Sequence, residues 1–338
     1  MWTIENNTPF SAKGAIKQHY ATNRKIWVVA VKATFDIASD GELTIAEEQA
    51  EVLEEPVYFG EELESSLRYD TDLTQTKEKI DIIVNATGYH PNDEAGKELL
   101  VGISIGDWKK ILTLKGDRMW DRFLGIPFQT NARPFKRMSV RYENAFGGKD
   151  DTAKLGYEVD HRNTIGKGYS FRTFRLLGKR LPNIEYPDFP TRRGYKKNKI
   201  AGFGAIANHW RPRIDYGGTF DETWRETRAP LYPMDFSPRF FQSAPPDQWI
   251  SNLKGGEDVR LYHLSPDRTE IAFRLPKLDL RFSTKIDKTK ERHQGTIQTV
   301  IIEPDIAKLM MVWQTSLDCQ DMDHLVETTH VDCEIIRI

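Results

Sequence analysis

The stretch Val31-Lys32-Ala33-Thr34-Phe35-Asp36-Ile37 decides the fold class, because apolar Val31, Ala33, Phe35 and Ile37 alternate with polar Lys32, Thr34 and Asp36. A period of two sends alternate side chains to opposite faces of a pleated strand and predicts a half-buried β-strand. Ile80, Ile82, Val84 and Ala86 repeat the pattern. Residues 99–105 and 109–114 then flank Gly106-Asp107, and glycine at the first loop position suits a type II′ hairpin turn.

Short β-branched or aromatic runs return at 259–264, 271–275, 278–282, 296–302 and 308–313, separated by turn formers such as Ser265-Pro266-Asp267 and Glu303-Pro304-Asp305. These runs predict a mainly β protein of antiparallel sheets, sandwich-like or in two coupled β lobes. Helices are expected to be few and short, at 246–253 and 321–327.

Between these strand-rich ends, residues 143–255 lose all periodicity. They hold nine of the 17 prolines and three of the eight tryptophans, with 19 Lys or Arg against 13 Asp or Glu. Aromatics such as Phe171, Phe203, Trp210, Phe236 and Trp249 are too many for a disordered linker, so an ordered, loop-rich, packed region is expected. The organisation is thus a β region over 1–142, the loop-rich region over 143–255 and a second β region over 256–338, read as one integrated domain. Residues 40–72 carry twelve acidic residues and one basic residue, Arg68. They read either as a solvated linker or frayed surface segment, or as a docking surface for a basic partner.

The 338 residues carry 48 Lys+Arg against 50 Asp+Glu, a net charge of -2, which argues against nucleic-acid binding driven by bulk charge. The longest apolar run, residues 26–31, is far below the ~20 residues of a bilayer helix, so no membrane span is expected. Met1-Trp2-Thr3-Ile4-Glu5-Asn6 lacks the basic and apolar segments of a signal peptide. Two cysteines make no disulfide framework, and the reducing cytoplasm is the expected compartment.

Few residues form a chemical motif. Cys319, His324, His330 and Cys333 are the right types for zinc, but their spacing fits no usual finger or knuckle, and the expectation is no metal and no cofactor. Acid and base pairs can be drawn from Asp70, Asp72, Asp81, His90 and Glu143, a weak signal in so acidic a chain. No nucleophile elbow or zinc-protease motif is present, so no catalytic residues are assigned. Gly166-Lys167-Gly168 and Gly202-Phe203-Gly204 lack phosphate-loop spacing and are expected to be bends with positive φ.

More distinctive are short words joining glycine, an ion pair and an aromatic: Gly116-Asp117-Arg118-Met119-Trp120, Tyr142-Glu143-Asn144-Ala145-Phe146-Gly147-Gly148 and Gly255-Gly256-Glu257. Asp117 and Arg118 are expected to satisfy loop backbone groups while Trp120 and Phe146 anchor the loops; partner contact is the alternative role. With these words the chain resembles the bacterial family catalogued as domain of unknown function twenty-one sixty-nine. The resemblance also rests on Tyr69-Asp70-Thr71-Asp72-Leu73 with Lys77 and Asp81, on Asn163 with Gly166-Lys167-Gly168-Tyr169, and on Leu181-Pro182-Asn183-Ile184-Glu185. Arg211-Pro212-Arg213, Phe220-Asp221-Glu222-Thr223-Trp224, Asp235-Phe236 with Arg239-Phe240, Ala244-Pro245-Pro246-Asp247-Gln248 and Leu253-Lys254 before Gly255 complete it. It runs from about Phe10 to about Leu317; Thr164 stands where the family usually has proline, and residues 318–338 carry no family word.

The resemblance implies a cytoplasmic type VI secretion adaptor or chaperone, without catalytic residues. Its partner would be a PAAR-like spike-tip protein, or an effector carrying such a domain, loaded on the tail spike. A carbohydrate-active hydrolase on a β scaffold and a binding or scaffold protein without chaperone action are the alternative readings.

Overall fold

The structure is a computed structural model that describes residues 2–150, 158–319 and 322–338. It is mainly β. The strand Lys25–Ile37 lies inside a seven-stranded sheet, between Lys308–Asp318 on one side and Ser11–Gln18 with Leu43–Ile45 on the other, all antiparallel to it. Beyond Lys308–Asp318 the sheet continues through Thr296–Glu303 and Ile80–Val84, which run parallel to each other, to the short edge strand Trp249–Ile250. A four-stranded sheet joins Thr3–Asn6, Val326–Arg337, Lys277–Ile286 and Thr289–Gln294. A five-stranded antiparallel sheet joins Ile184–Glu185, Trp108–Lys115, Glu98–Ile105, Asp258–Tyr262 and Glu270–Arg274. The expected hairpin is present: Ile105 pairs with Trp108 across Gly106-Asp107, and Gly106 alone of the two has positive φ, at 54°.

The Lys25–Ile37 and Ile80–Val84 strands depart from their expected half-burial, because both faces of each are covered. Trp27, Val29, Val31, Ala33 and Phe35 point into the main core. On the opposite face, Ile26, Val28 and Ala30 pack against Val312, Val52 and Leu73. Val52 belongs to the acidic stretch and Leu73 follows it directly, so the stretch is a cover over the sheet and not a frayed linker. Its charges separate accordingly. Asp72 turns inward to Lys32 (2.9 Å) and accepts from the Leu53 amide, whereas Glu47, Glu48, Glu54, Glu55, Glu61, Glu62 and Glu64 stay exposed. Asp70 pairs with Arg213, an electrostatic contact between the acidic stretch and the basic middle region.

The seven- and four-stranded sheets meet through a chain of buried polar groups. Trp27 Nε1 donates to Thr329 Oγ1 (2.8 Å), which bonds Thr284 Oγ1 (2.9 Å). The chain then runs through His293 Nε2 (2.9 Å) and Nδ1 to Thr315 Oγ1 (2.7 Å). The chain pairs the Trp27, Thr284, Thr329, His293 and Thr315 side chains with one another, as buried polar groups require.

The middle region is short-element and packed, with Phe203 and Trp210 fully buried and one α-helix among the described residues, Glu222–Thr227, capped by Asp221 accepting from the Trp224 amide (2.8 Å). Both expected helices are corrected. Pro246–Gln248 is a single 3-10 turn leading into Trp249–Ile250, which takes the free edge of Ile80–Val84. Asp323–Leu325 is likewise one 3-10 turn, and Val326–Arg337 is a twelve-residue strand, because the Lys277–Ile286 edge needs a partner; Asp321 lies outside the described residues. Of the four glycines expected to bend the chain, only Gly168 has positive φ. Gly166 and Gly202 are there for space, since a Cβ would lie 2.4 Å from Asn163 Nδ2 and 2.6 Å from the Tyr142 ring respectively.

Two expectations follow. Asp72→Ala strands Lys32 without its buried counter-charge, so urea denaturation will show a loss of about 3 to 5 kcal/mol. Burial lowers the His293 pKa to about 4, below the ~6.5 of an unfolded chain. Between those values the unfolded state binds the extra proton, so stability falls as pH drops from about 6.5 to about 4, on the order of 2 kcal/mol after solvent screening. Melting curves across that range will be flatter for His293→Gln than for the wild type.

Candidate partner-binding surface

The word Gly116-Asp117-Arg118-Met119-Trp120 builds the base of a protruding hairpin. Gly116 is required by crowding, for a Cβ there would sit 1.7 Å from the Arg133 carbonyl oxygen. Asp117 accepts from the Asn183 side chain (3.1 Å), and Arg118 donates to the Pro182 carbonyl and to Glu185, both at 2.8 Å. Burial pushes the Glu185 carboxyl up, yet Arg118, Thr191 and Lys115 together hold it below its ordinary value. Trp120 is buried with Leu176 and Leu181 in a small separate core. Backbone bonds Trp120 N to Lys179 O (3.0 Å), Gly178 N to Trp120 O (2.8 Å) and Leu181 N to Arg118 O (2.9 Å) stitch this base to the 171–181 loop.

From this base, Trp120–Phe123 and Ile126–Gln129 pair across Leu124-Gly125, both with positive φ. Soluble hairpins end in polar tips, but here Leu124 is 86% exposed, Phe123 69% and Ile126 66%, with Phe128 and Met119 also exposed. The adjoining loop adds exposed Phe171, Phe174 and Leu177. Within 119–130 and 171–181 stand Arg122, Arg172, Arg175 and Arg180 against one acid, Asp121, while Lys179 is taken by Asp150 (2.8 Å). Contiguous exposed apolar area rimmed by charge marks a binding surface.

The remaining motif residues form the scaffold behind it. Glu143 accepts from Ser66 Oγ (2.8 Å) and the Ser66 amide (2.9 Å), tying the acidic stretch to the middle region. Asn144 bonds the Ser139 carbonyl and accepts from Lys167 (2.9 Å). Phe146 is buried, and Gly147 and Gly148, both at positive φ, let its strand run beside Lys167–Gly168. Lys77 and Asp81 form a buried pair at 2.7 Å, with Thr299, Gln242 and the Ser243 amide taking their other bonds. Trp224 donates to the Leu231 carbonyl (2.8 Å). Gly256 has positive φ, and Glu257 accepts from the Lys254 amide (2.8 Å).

The possible acid and base residues are not brought together: Asp70, Asp72, Asp81 and Glu143 are each engaged by a different partner, and His90 packs on Phe135. Glu303, which the sequence marks only as part of a turn, is a buried carboxylate held by Arg68, Tyr69 and Asn85. His330 pairs with Glu5 (2.9 Å), and burial raises the Cys319 and Cys333 thiols to about 11. Among the described residues no three His, Cys, Asp or Glu side chains gather as metal ligands, and no helix is long and apolar enough to cross a membrane. Sequence reasoning missed the hairpin tip. The signal was Phe123-Leu124-Gly125-Ile126-Pro127-Phe128, an apolar run around a turn where polar residues belong.

The fold and this surface define a mainly β protein that displays an apolar, arginine-flanked hairpin on a stitched base. A family model described as "Uncharacterized protein conserved in bacteria (DUF2169)" matches residues 22–314, and the chain belongs to that family. Neither a curated protein nor a solved structure matches it.

Base and tip are separable by mutation. Trp120→Ala will cost about 3 to 5 kcal/mol in chemical denaturation, whereas Phe123→Ser with Leu124→Ser will leave the melting temperature within a degree or so, because exposed positions contribute little.

Proposed function

We propose that the protein is a cytoplasmic adaptor or chaperone of a bacterial type VI secretion system. Its partner is a PAAR-like spike-tip protein or an effector carrying such a domain, which it helps to load onto the tail spike. The secretion role and the partner come from the family resemblance of the sequence words; the observation that carries a binding function is the exposed hairpin. Phe123, Leu124 and Ile126 supply apolar anchors and the arginines supply directional donors, the residue types that dominate interface energetics. A base fixed by Arg118, Glu185 and Trp120 lowers the ordering cost on binding.

Co-expression with a PAAR-like partner followed by size exclusion tests this reading. Wild type will co-elute and raise the partner's soluble yield, while Phe123→Ser/Leu124→Ser/Ile126→Ser will lose ~30-fold or more in affinity, about 2 kcal/mol, at an unchanged melting temperature. Separate elution of wild type, with the partner equally soluble alone, overturns it.

A further inference from the structure

A second feature lies apart from the hairpin tip: a groove of about 760 Å³ where Tyr186, Phe189 and residues 196–200 face Ile206, residues 211–212 and 245–247. Its charges are unevenly satisfied. Arg162 is taken by Asp160 (2.6 Å) and Arg211 by Asp215 (3.2 Å), while Asp247 is taken by Lys110 (2.9 Å) and the Tyr186 hydroxyl (2.8 Å). Lys196, Lys197 and Lys199 are exposed, and among the described residues no carboxylate lies within ion-pair distance of them. Lys199 instead sits 3.3 Å from the centroid of the Phe189 ring.

The loop that carries these lysines is rigidly held. Asn198 accepts from the Arg192 amide (2.7 Å) and donates to the Arg192 and Gly194 carbonyls, while Arg162 donates to the Asn198 (2.9 Å) and Tyr195 carbonyls. Three like charges on a clamped loop beside an aromatic and proline-lined trough repel one another, and an anionic ligand relieves that repulsion at little ordering cost.

We propose that this groove binds an extended acidic peptide segment, its carboxylates on Lys196, Lys197 and Lys199 and an apolar side chain between them against Phe189 and Pro245. A peptide with spaced carboxylates fits better than a nucleic acid, because three lysines give few phosphate contacts. The assignment stands independently of the secretion reading.

The test is fluorescence anisotropy with a short fluorescein-labelled peptide of alternating glutamate and leucine, titrated with the full chain. Saturable micromolar binding is expected, at least ~10-fold weaker for Lys196→Gln/Lys197→Gln/Lys199→Gln at unchanged melting temperature and weakened by salt. Phe189→Ser will weaken it independently of salt, and the hairpin variant Phe123→Ser/Leu124→Ser will bind as wild type. Equal binding of the glutamine-leucine peptide, wild-type affinity in the triple lysine variant, or tighter binding of an oligothymidylate each overturns the proposal.

Discussion

Double burial of the strand Lys25–Ile37 is the constraint on which the rest of this structure depends. An interior strand of a seven-stranded sheet presents two rows of side chains, and here both are covered. One row forms the main core with the four- and five-stranded sheets; the other is roofed by Val52 and Leu73. Once roofed, Lys32 is out of water, and an ammonium there is tolerable only with a counter-charge and hydrogen bonds. Asp72 supplies the counter-charge, and the same carboxylate fixes the Leu53 amide. The cover and the charge pair therefore require each other.

The same logic recurs wherever the loop-rich middle region meets the sheets. Asp81 is fully buried and is answered by Lys77, Gln242 and Ser243, so one carboxylate ties a sheet strand to the loop at 242–243. Asp70 with Arg213 and Glu143 with Ser66 do likewise across the acidic stretch. Buried pairs of this kind add little net stability compared with apolar packing, but they allow a region with almost no regular secondary structure to hold one conformation, since each misplacement would leave a charge unpaired. Order in the loops comes from side-chain bonds where backbone ladders are missing.

That rigidity has a consequence at the surface. The hairpin at 120–129 and the lysine loop at 194–199 are both clamped at their bases, by Arg118 with Glu185 in one case and by Arg162 with Asn198 in the other. They are joined through Gln129, whose amide donates to the Thr191 carbonyl, and Arg193, which donates to the Pro127 carbonyl. An apolar projection and a basic aromatic groove thus share one strap of chain, and each can meet a ligand without first paying to order itself.

What the sequence determined alone was local: the period-two runs, the Gly106-Asp107 hairpin, the loop-rich middle and the residues of the recurrent words are legible because strand pleat, turn geometry and glycine chemistry act over a few neighbours. Trp120 and Phe146 as anchors and Arg118 as a fastener of loop backbone could be read at that range, whereas the Asp117 carboxylate meets the Asn183 side chain and not the backbone expected of it. Tertiary structure decided the rest. Whether Lys32 faces water or a counter-ion depends on Asp72, about 40 residues away, and Asp81 is closed off from water by Gln242 and Ser243, about 160 residues away. The 326–337 segment became a long strand because the Lys277–Ile286 edge was open to it. The apolar residues of 123–128 look like core material in the sequence. Only the fold, by leaving their hairpin uncovered, turned them into a surface.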